Sequence, residues 1–403
     1  GASTTRGPAG RAAGRALPSF SDNAPRLKTP VPTDGPSIPV FSPPARSQHM
    51  FRRVVLARGD VPDSNSGYFA NHSVVEEVLD KAKVPGWTKA AVVERRAGLS
   101  GHSKRVARAP SEAQADLLHI TNQWDARLVP SKSTVPVVVS VHDLFDFRPR
   151  SIEAGDVAVS LGSRNPSSTL LQSIQEARAG MERADTLLCA SEMTLSDAKN
   201  LFPRTESVLV RDSVDSELWD PHRKPRPRSL LGDLDDEDKC LVVAVGGEDP
   251  RWRSPFLSKV ISMLPEETQR DINLIRIGVE KLDMEQISSA YQHAEAMLYP
   301  GVSVGFHCPP VEAMASGCPV LASDLPAHAE VLPPECVLPP TDSKEWASSI
   351  AAVHGKWRRS GGVTRHAADH LIAHTIATVG RDSQGEALSR AYDDVLRTRE
   401  ITR

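Results

Sequence analysis

No apolar run in the chain is long enough to cross a bilayer, which excludes a helical membrane span. Positive charge is not in excess either. Lys and Arg number 48 against 51 Asp and Glu, a formal net charge of −3, which excludes a globally basic nucleic-acid binder and leaves local patches alone. Cysteine is scarce: Cys189, Cys240, Cys308, Cys318 and Cys336 are odd in number and scattered. Three of them sit in or beside apolar segments, so buried free thiols in a reducing compartment are expected rather than a disulfide framework. Cys308 and Cys318 stand apart from other ligand types and no acidic cluster is evident, so neither a metal nor a cofactor is expected.

What is present is the composition of a globular chain. With 403 residues, 39% hydrophobic and 25% charged, there is material for two domains with full cores. Residues 1–49 differ, holding nine Pro and six Lys or Arg against two Asp, with almost no apolar periodicity. Such a stretch cannot bury enough surface to offset ordering and is expected to be a disordered leader. Two origins fit it: a transit-like leader, rich in Arg, Ser and Ala and poor in acids, or one left by cloning, with His49-Met50 directly before the first strand.

From Met50 onward strand and helix alternate. VVLA (54–57), DLLHIT (116–121), VPVVVSVHD (135–143), DTLLCAS (185–191) and SVLVRD (207–212) read as strands. Helices are expected over 73–82, opening on a capping-box-like Ser73 to Glu76, and over 168–183 and 192–201. Continuous apolar strands imply a parallel sheet covered on both faces, hence one doubly wound domain over 50–222. The Pro- and charge-rich stretch 216–238 reads as a connector, with the linker proper at 223–238. A second α/β domain follows over 239–383, with strands in KCLVVAVGG (239–247), INLIRIG (272–278), EAMLYPG (295–301) and CPVLAS (318–323). Its helices fall at 254–264 and 284–296, the latter with Ile287, Ala290, Tyr291, Ala294 and Met297 on one face. Terminal helices are expected over 344–353 and 384–397.

Residues 299–323, YPGVSVGFHCPPVEAMASGCPVLAS, carry the most chemistry. A loop with Gly301 and Gly305 runs into a helix whose first turn tolerates Pro309 and Pro310, and Gly317 and Pro319 end it before the strand VLAS. A glycine-bearing loop entering a helix offers free N–H groups and a positive dipole end to a phosphate. Glu312, just inside that helix, is placed to accept hydrogen bonds from a ribose diol. The pattern points to a nucleotide-diphosphate site.

LDMEQISSAYQHAEAMLYPGVSVGFHCPPVEAMASGCPVLASDLPAHAEVL resembles the nucleotide-binding segment of retaining GT-B glycosyltransferases of the family 4, glycogen synthase-like type. The first half is similar in order and spacing: ADLLHITNQ (115–123), VPVVVSVHDL (135–144), ERADTLLCASEMTLSDAKNLF (182–202) and SVLVRDSVD (207–215). The resemblance implies an α/β GT-B fold, two doubly wound Rossmann-like domains facing across a cleft, with a last helix over 384–403 crossing back to the first. It implies a nucleotide-sugar on the second domain and an acceptor on the first. Glu312 matches the second glutamate of an E-x7-E motif, which holds the ribose. Gly305, Phe306 and His307 match the loop that meets the diphosphate and sugar, and Gly247 lies in the turn that closes the same site. Arg251 and Arg253 lie where the family places a basic pair on the phosphates, and His142 matches a histidine facing the donor sugar. Charge developing on the departing diphosphate would then be met by arginines and a helix N-terminus, without metal. The leaving phosphate can itself take the acceptor's proton.

Three features depart from that pattern. Val304 stands where the first motif glutamate belongs, the basic pair is Arg-Trp-Arg at 251–253, and the stretch between INLIRIG and LDMEQI is shortened. Two functions are therefore weighed. One is a retaining, metal-independent hexosyltransferase moving sugar from a nucleoside diphosphate to a glycan, lipid-linked or small-molecule hydroxyl. The other is a non-catalytic glycosyltransferase-like protein serving as partner or accessory subunit, within a homo- or hetero-oligomer. Residues 81–110 hold eight Lys or Arg against one acid; a solvated basic face is the plain reading and peripheral contact with an anionic membrane the sharper one. A cytoplasmic location is expected, or an organellar one if the leader is a transit peptide. No nucleic-acid partner is expected.

Overall fold

The computed structural model describes residues 51–59, 67–95, 100–154, 157–302 and 308–401, so the leader expectation lies outside the described residues. The first lobe contains β1 (Arg52–Ala57), α1 (Gly67–Asp80), β2 (Trp87–Val93), α2 (His102–Glu112), β3 (Leu117–Ile120) and β4 (Val137–Val141). It continues through β5 (Arg150–Ala154), β6 (Val157–Leu161), α3 (Ser168–Met181), β7 (Thr186–Cys189), α4 (Glu192–Leu201) and β8 (Glu206–Leu209). Its six-stranded parallel sheet has the order β2-β1-β3-β4-β7-β8, while β5 and β6 form a separate antiparallel hairpin.

After α5 (Ser216–Trp219) the second lobe runs through β9 (Cys240–Val245), α6 (Ser254–Ser262), α7 (Glu266–Asp271), β10 (Ile272–Ile277), α8 (Met284–His293) and β11 (Ala296–Tyr299). Then come α9 (Cys308–Ala315), β12 (Val320–Ser323), α10 (Pro326–Ala329), β13 (Val337–Leu338), α11 (Ser343–Arg359), α12 (Asp369–Val379) and α13 (Arg381–Ile401). Its five parallel strands are ordered β10-β9-β11-β12-β13.

Period-two alternation sorts each strand between two cores. On one face of the first sheet Val55, Ala57, Leu118, Val139 and Leu187 pack together; on the other, Val54, Leu56, Leu117, Val138 and Leu188 do. The second sheet divides likewise, with Val243, Met297 and Val320 on one side and Val242, Leu298 and Trp346 on the other. The second core of the first lobe is closed by the last helix: Leu388, Ala391, Tyr392 and Val395 of α13 pack against Val54 and Leu56. Where the chain crosses between lobes, Val214 N–H donates to Val379 C=O at 2.9 Å, pairing the two crossings.

Gly385 shows how tightly α13 is seated. A Cβ there would stand 1.9 Å from the Lys83 carbonyl oxygen. Alanine gains about 1 kcal/mol of helix propensity over glycine, yet overpacking against backbone costs about 1–3 kcal/mol or more. Gly385→Ala is therefore expected to lower the urea midpoint; an unchanged or raised midpoint would show that α13 lifts without penalty.

Several sequence expectations need correction. Ser73 does not cap a helix, because α1 already begins at Gly67. Met297 belongs to β11 rather than to a helix over 284–296; α8 ends at His293, although Met297 joins the same core as Tyr291. The connector is partly structured, with α5 and a turn in which Arg228 grips Asp235 at 2.6 Å. The basic stretch conceals β2 and α2, and α12 and the β5–β6 hairpin were not foreseen. β5, RSIEA, carries Arg150 and Glu153 and lacks the apolar run that marked the central strands, while β2 lies in a stretch read for its charge.

Candidate active-site cleft

In both sheets the strand order reverses once, between β1 and β3 in the first and between β9 and β11 in the second. In a doubly wound sheet the chain leaves such neighbouring strands in opposite directions, opening a crevice beyond their carboxyl ends where ligands bind. In the second lobe that crevice is bordered by the turn after β9, with Gly246 and Gly247, and by residues 300–302 that follow β11.

Gly247 has φ +137°, a value that side chains rarely adopt, so the turn needs glycine. Beyond it Asp249 accepts from Arg251 N–H at 2.9 Å and grips the Arg251 guanidinium, with Nη2 to Oδ2 at 2.5 Å. Val302 N–H donates to the Arg251 carbonyl at 2.7 Å, tying this turn to the end of β11. The expected basic pair is divided. Arg253 is buried, its Nη1 donates to Pro300 C=O at 3.1 Å, and its guanidinium lies 4.2 Å over the Phe256 ring. It braces the turn, whereas Arg251 is half-buried and electrostatically coupled to Asp143 of the first lobe.

Glu312 is enclosed by protein on most sides and keeps a limited opening to solvent. It has no hydrogen-bond partner among the described residues, and burial alone pushes its carboxyl up to about 8. Val304, Gly305, Phe306 and His307 lie outside the described residues, as does the side chain of Cys308.

His142 follows β4, but its ring does not point toward an open site. Nδ1 is 2.7 Å from Asp212 Oδ2, Nε2 is 3.2 Å from Thr121 C=O, and the residue is 7% exposed. A carbonyl and a carboxylate both accept, so both nitrogens carry protons. Burial opposes that charge, yet Asp212 and the Thr121 carbonyl outweigh it and raise the pKa. The imidazole is thus a held cation with no free nitrogen for a sugar hydroxyl, which corrects the expectation that it faces the donor.

Around it, Gln123 Oε1 accepts from His142 N–H at 3.1 Å, while Gln123 Nε2 is buried with no partner among the described residues. Thr194 Oγ1 donates to His142 C=O at 3.2 Å. Asp143 is raised above the usual carboxylate range by burial, with Phe145 N–H, His142 and Arg251 pulling it back. At the crevice of the first sheet, Gly59 N–H donates to Asp125 Oδ2 at 2.7 Å. Asp212, Gln123 and the Gly59–Asp125 pair were missed by sequence reasoning, since each becomes meaningful only through a partner distant in the chain.

Among the described residues no group of three His, Cys, Asp or Glu could hold a metal ion, and no helix is long and apolar enough to cross a membrane. Cys189, Cys240, Cys318 and Cys336 are buried free thiols, the first two pushed up by burial to about 12.

The basic stretch is largely interlaced with acids. Lys81 meets Glu217 at 3.2 Å, Lys83 meets Asp382 at 2.9 Å, and Lys89 meets Glu76 and Asp80 at 2.8 and 2.6 Å. Lys104 and Arg108 remain exposed on α2. A basic side chain near an anionic bilayer contributes about 1 kcal/mol, so few free cations predict weak adsorption. Co-sedimentation with phosphatidylserine vesicles at physiological salt is expected to be slight; strong, salt-sensitive binding would overturn the solvated-face reading.

Residues 236–355 match the family model for glycosyl transferases group 1. The chain is 38% identical over 73 residues to the O-antigen chain mannosyltransferase RfbU of Salmonella typhimurium, covering 18% of this chain and 21% of that protein. It is 23% identical over 303 residues to the D-inositol 3-phosphate glycosyltransferase of Mycolicibacterium smegmatis, covering 67% and 65% respectively. The chain thus spans less than two thirds of the length of either relative. The structure resembles Anabaena Alr3699/HepE in complex with UDP, with a TM-score of 0.58 and 12% identity over 85% of this chain and all of that one. The fold is GT-B, built from two Rossmann-like domains.

Proposed function

We propose that the chain is a glycosyltransferase that takes a hexose-type sugar from a nucleoside diphosphate and passes it to an acceptor hydroxyl, with retention and without a metal. One observation carries the reading: a densely enclosed carboxyl, Glu312, with no partner among the described residues, stands in the helix that borders the crevice of the second sheet. A ribose diol supplies two donors to such a carboxylate, so nucleotide binding would satisfy a group that no described residue bonds. The family match over 236–355 includes this helix, and the structural neighbour was solved with UDP.

The diphosphate would lie near Arg251, whose guanidinium is half-buried and aligned by Asp249. The held charge of His142, with Asp212 behind it, would add a fixed positive centre at the first lobe's edge. As the bond from anomeric carbon to diphosphate oxygen breaks, the acceptor oxygen bonds that carbon on the same face. Its proton passes to the leaving phosphate, so no side-chain base is called on, in keeping with the engaged state of His142.

Val304 supports the second reading, a nucleotide-binding but non-transferring protein acting as a partner or accessory subunit. A thermal-shift screen with UDP, GDP, ADP and TDP sugars separates the cases. Stabilisation by one nucleotide with donor turnover supports transfer, and stabilisation without turnover supports the second reading. No shift with any nucleotide overturns both.

A further inference from the structure

The two lobes touch through a side chain that the transfer chemistry does not use. Glu330 ends α10, seven residues after β12, and its Oε2 accepts from Glu192 N–H at 3.0 Å. Glu192 is the first residue of α4 in the opposite lobe, so a carboxylate of the donor lobe caps a helix of the acceptor lobe. Arg211 Nη2 stands 3.7 Å from the same Oε2 and 3.8 Å from Glu192 Oε1. The Glu330 side chain is 11% exposed, and a carboxylate this enclosed needs the pairing it finds.

We propose that Glu330 is a positioning residue: it clasps the lobes together and aligns the first lobe's strand end with the donor crevice. Each step is a contact. From Glu330 the link passes to the first turn of α4, where Ser191 Oγ accepts from Thr194 N–H at 3.1 Å. Thr194 Oγ1 then donates to the carbonyl of His142, so the turn and the strand end move together. On the donor side, α10 follows β12, the strand after the helix that carries Glu312. His328 in α10 reaches back to Ser323 C=O at 2.6 Å. An apolar contact of Val159 with Val302 and Leu325 is the clasp's neighbour, and Glu330 adds a charged fastening beside it. Burial raises its carboxyl, while the α4 amides and Arg211 pull it back toward the charged form in which it caps the helix.

The clasp's bearing on turnover rests on the function proposed above; its bearing on lobe closure does not. Small-angle scattering of the full chain tests the latter. Glu330→Ala is expected to raise the radius of gyration by about 1 Å, whereas Glu330→Gln, whose amide oxygen still accepts from Glu192 N–H, restores most of the compaction. Lys104→Ala, on the exposed face of α2, serves as a control expected to match the parent protein in radius. With an accepted donor, Glu330→Ala should lower kcat at least about tenfold while nucleotide affinity changes less than about threefold. Equal radii for the parent, Ala and Gln proteins would overturn the clasp even if transfer is found. Absence of turnover in the parent protein would count against the proposed function and leave the scattering result to decide the clasp.

Discussion

Calorimetric titration of Glu312→Ala is expected to give a nucleoside-diphosphate Kd about a hundredfold weaker than that of the parent protein. Two hydrogen bonds to a carboxylate contribute about 1.5–3 kcal/mol each, discounted for overlap, and about 2.7 kcal/mol corresponds to a hundredfold change. No unpaired charge is left behind in the variant, so the loss reports the contact itself. Unchanged affinity would remove Glu312 from the nucleotide site.

The elevated pKa adds a signature that a remote carboxylate lacks. Below about 8 the free protein holds Glu312 protonated. A ribose diol donates its protons and favours the carboxylate, so binding must release a proton there. Affinity should strengthen by up to about tenfold per pH unit up to about 8 and then level. The same shift has a sign for folding. The folded value lies above the unfolded one, so stability is complete below about 4.5 and declines as pH rises toward about 8. Glu312→Gln should therefore stabilise the fold near pH 7, by about 2 kcal/mol after allowing for partial exposure, seen as a higher melting temperature, with little effect near pH 4. A gain of stability alongside a loss of binding would mark Glu312 as kept for function.

How much of this was legible beforehand depended on whether a signal was local. Strands such as VVVSV over Val137–Val141 announce themselves because both sheet faces are covered and every residue is apolar. Glu312 could be singled out as a candidate because its loop, prolines and helix lie within one short segment. His142 was found by position and misread in orientation. Its direction is set by Asp212, 70 residues away, and by the Thr121 carbonyl, neither of which leaves a trace beside it. Arg251 and Arg253 look alike in sequence, but the backbone at Arg253 is left-handed, with φ +51°. That turn places its side chain inward against Pro300 and Phe256 and leaves Arg251 outward. Gly385 and Glu330 were invisible for the same reason: each answers to a neighbour supplied by the other lobe or by a returning helix.

Asp212→Asn is expected to invert the titration of His142. Two buried histidines on adjacent strand systems make the comparison internal. His119 bonds neutral partners, Tyr392 Oη at 2.7 Å and Ser140 Oγ at 2.8 Å, and burial lowers its pKa to about 3, with the nearby His142 charge adding to the effect. His142 is equally enclosed but faces Asp212, and its pKa is raised. Removing that carboxylate charge leaves burial as the leading influence, so His142 should fall below its ordinary 6.5, as seen in its NMR titration. Stability follows with the sign worked out. In the parent protein the raised pKa contributes stability that is complete below about 6.5 and is lost as pH rises through the folded value. In the variant a lowered pKa reverses this, and stability is lost as pH falls below 6.5. Breaking a buried pair by removing one partner costs about 3–5 kcal/mol, so urea midpoints should diverge most on the acid side. Turnover should drop with stability at pH 6 and recover in part at pH 8, where the neutral ring no longer lacks a counter-charge. Parallel pH profiles for the two proteins would mean that Asp212 does not hold the His142 charge, and the fixed positive centre at the cleft would go with it.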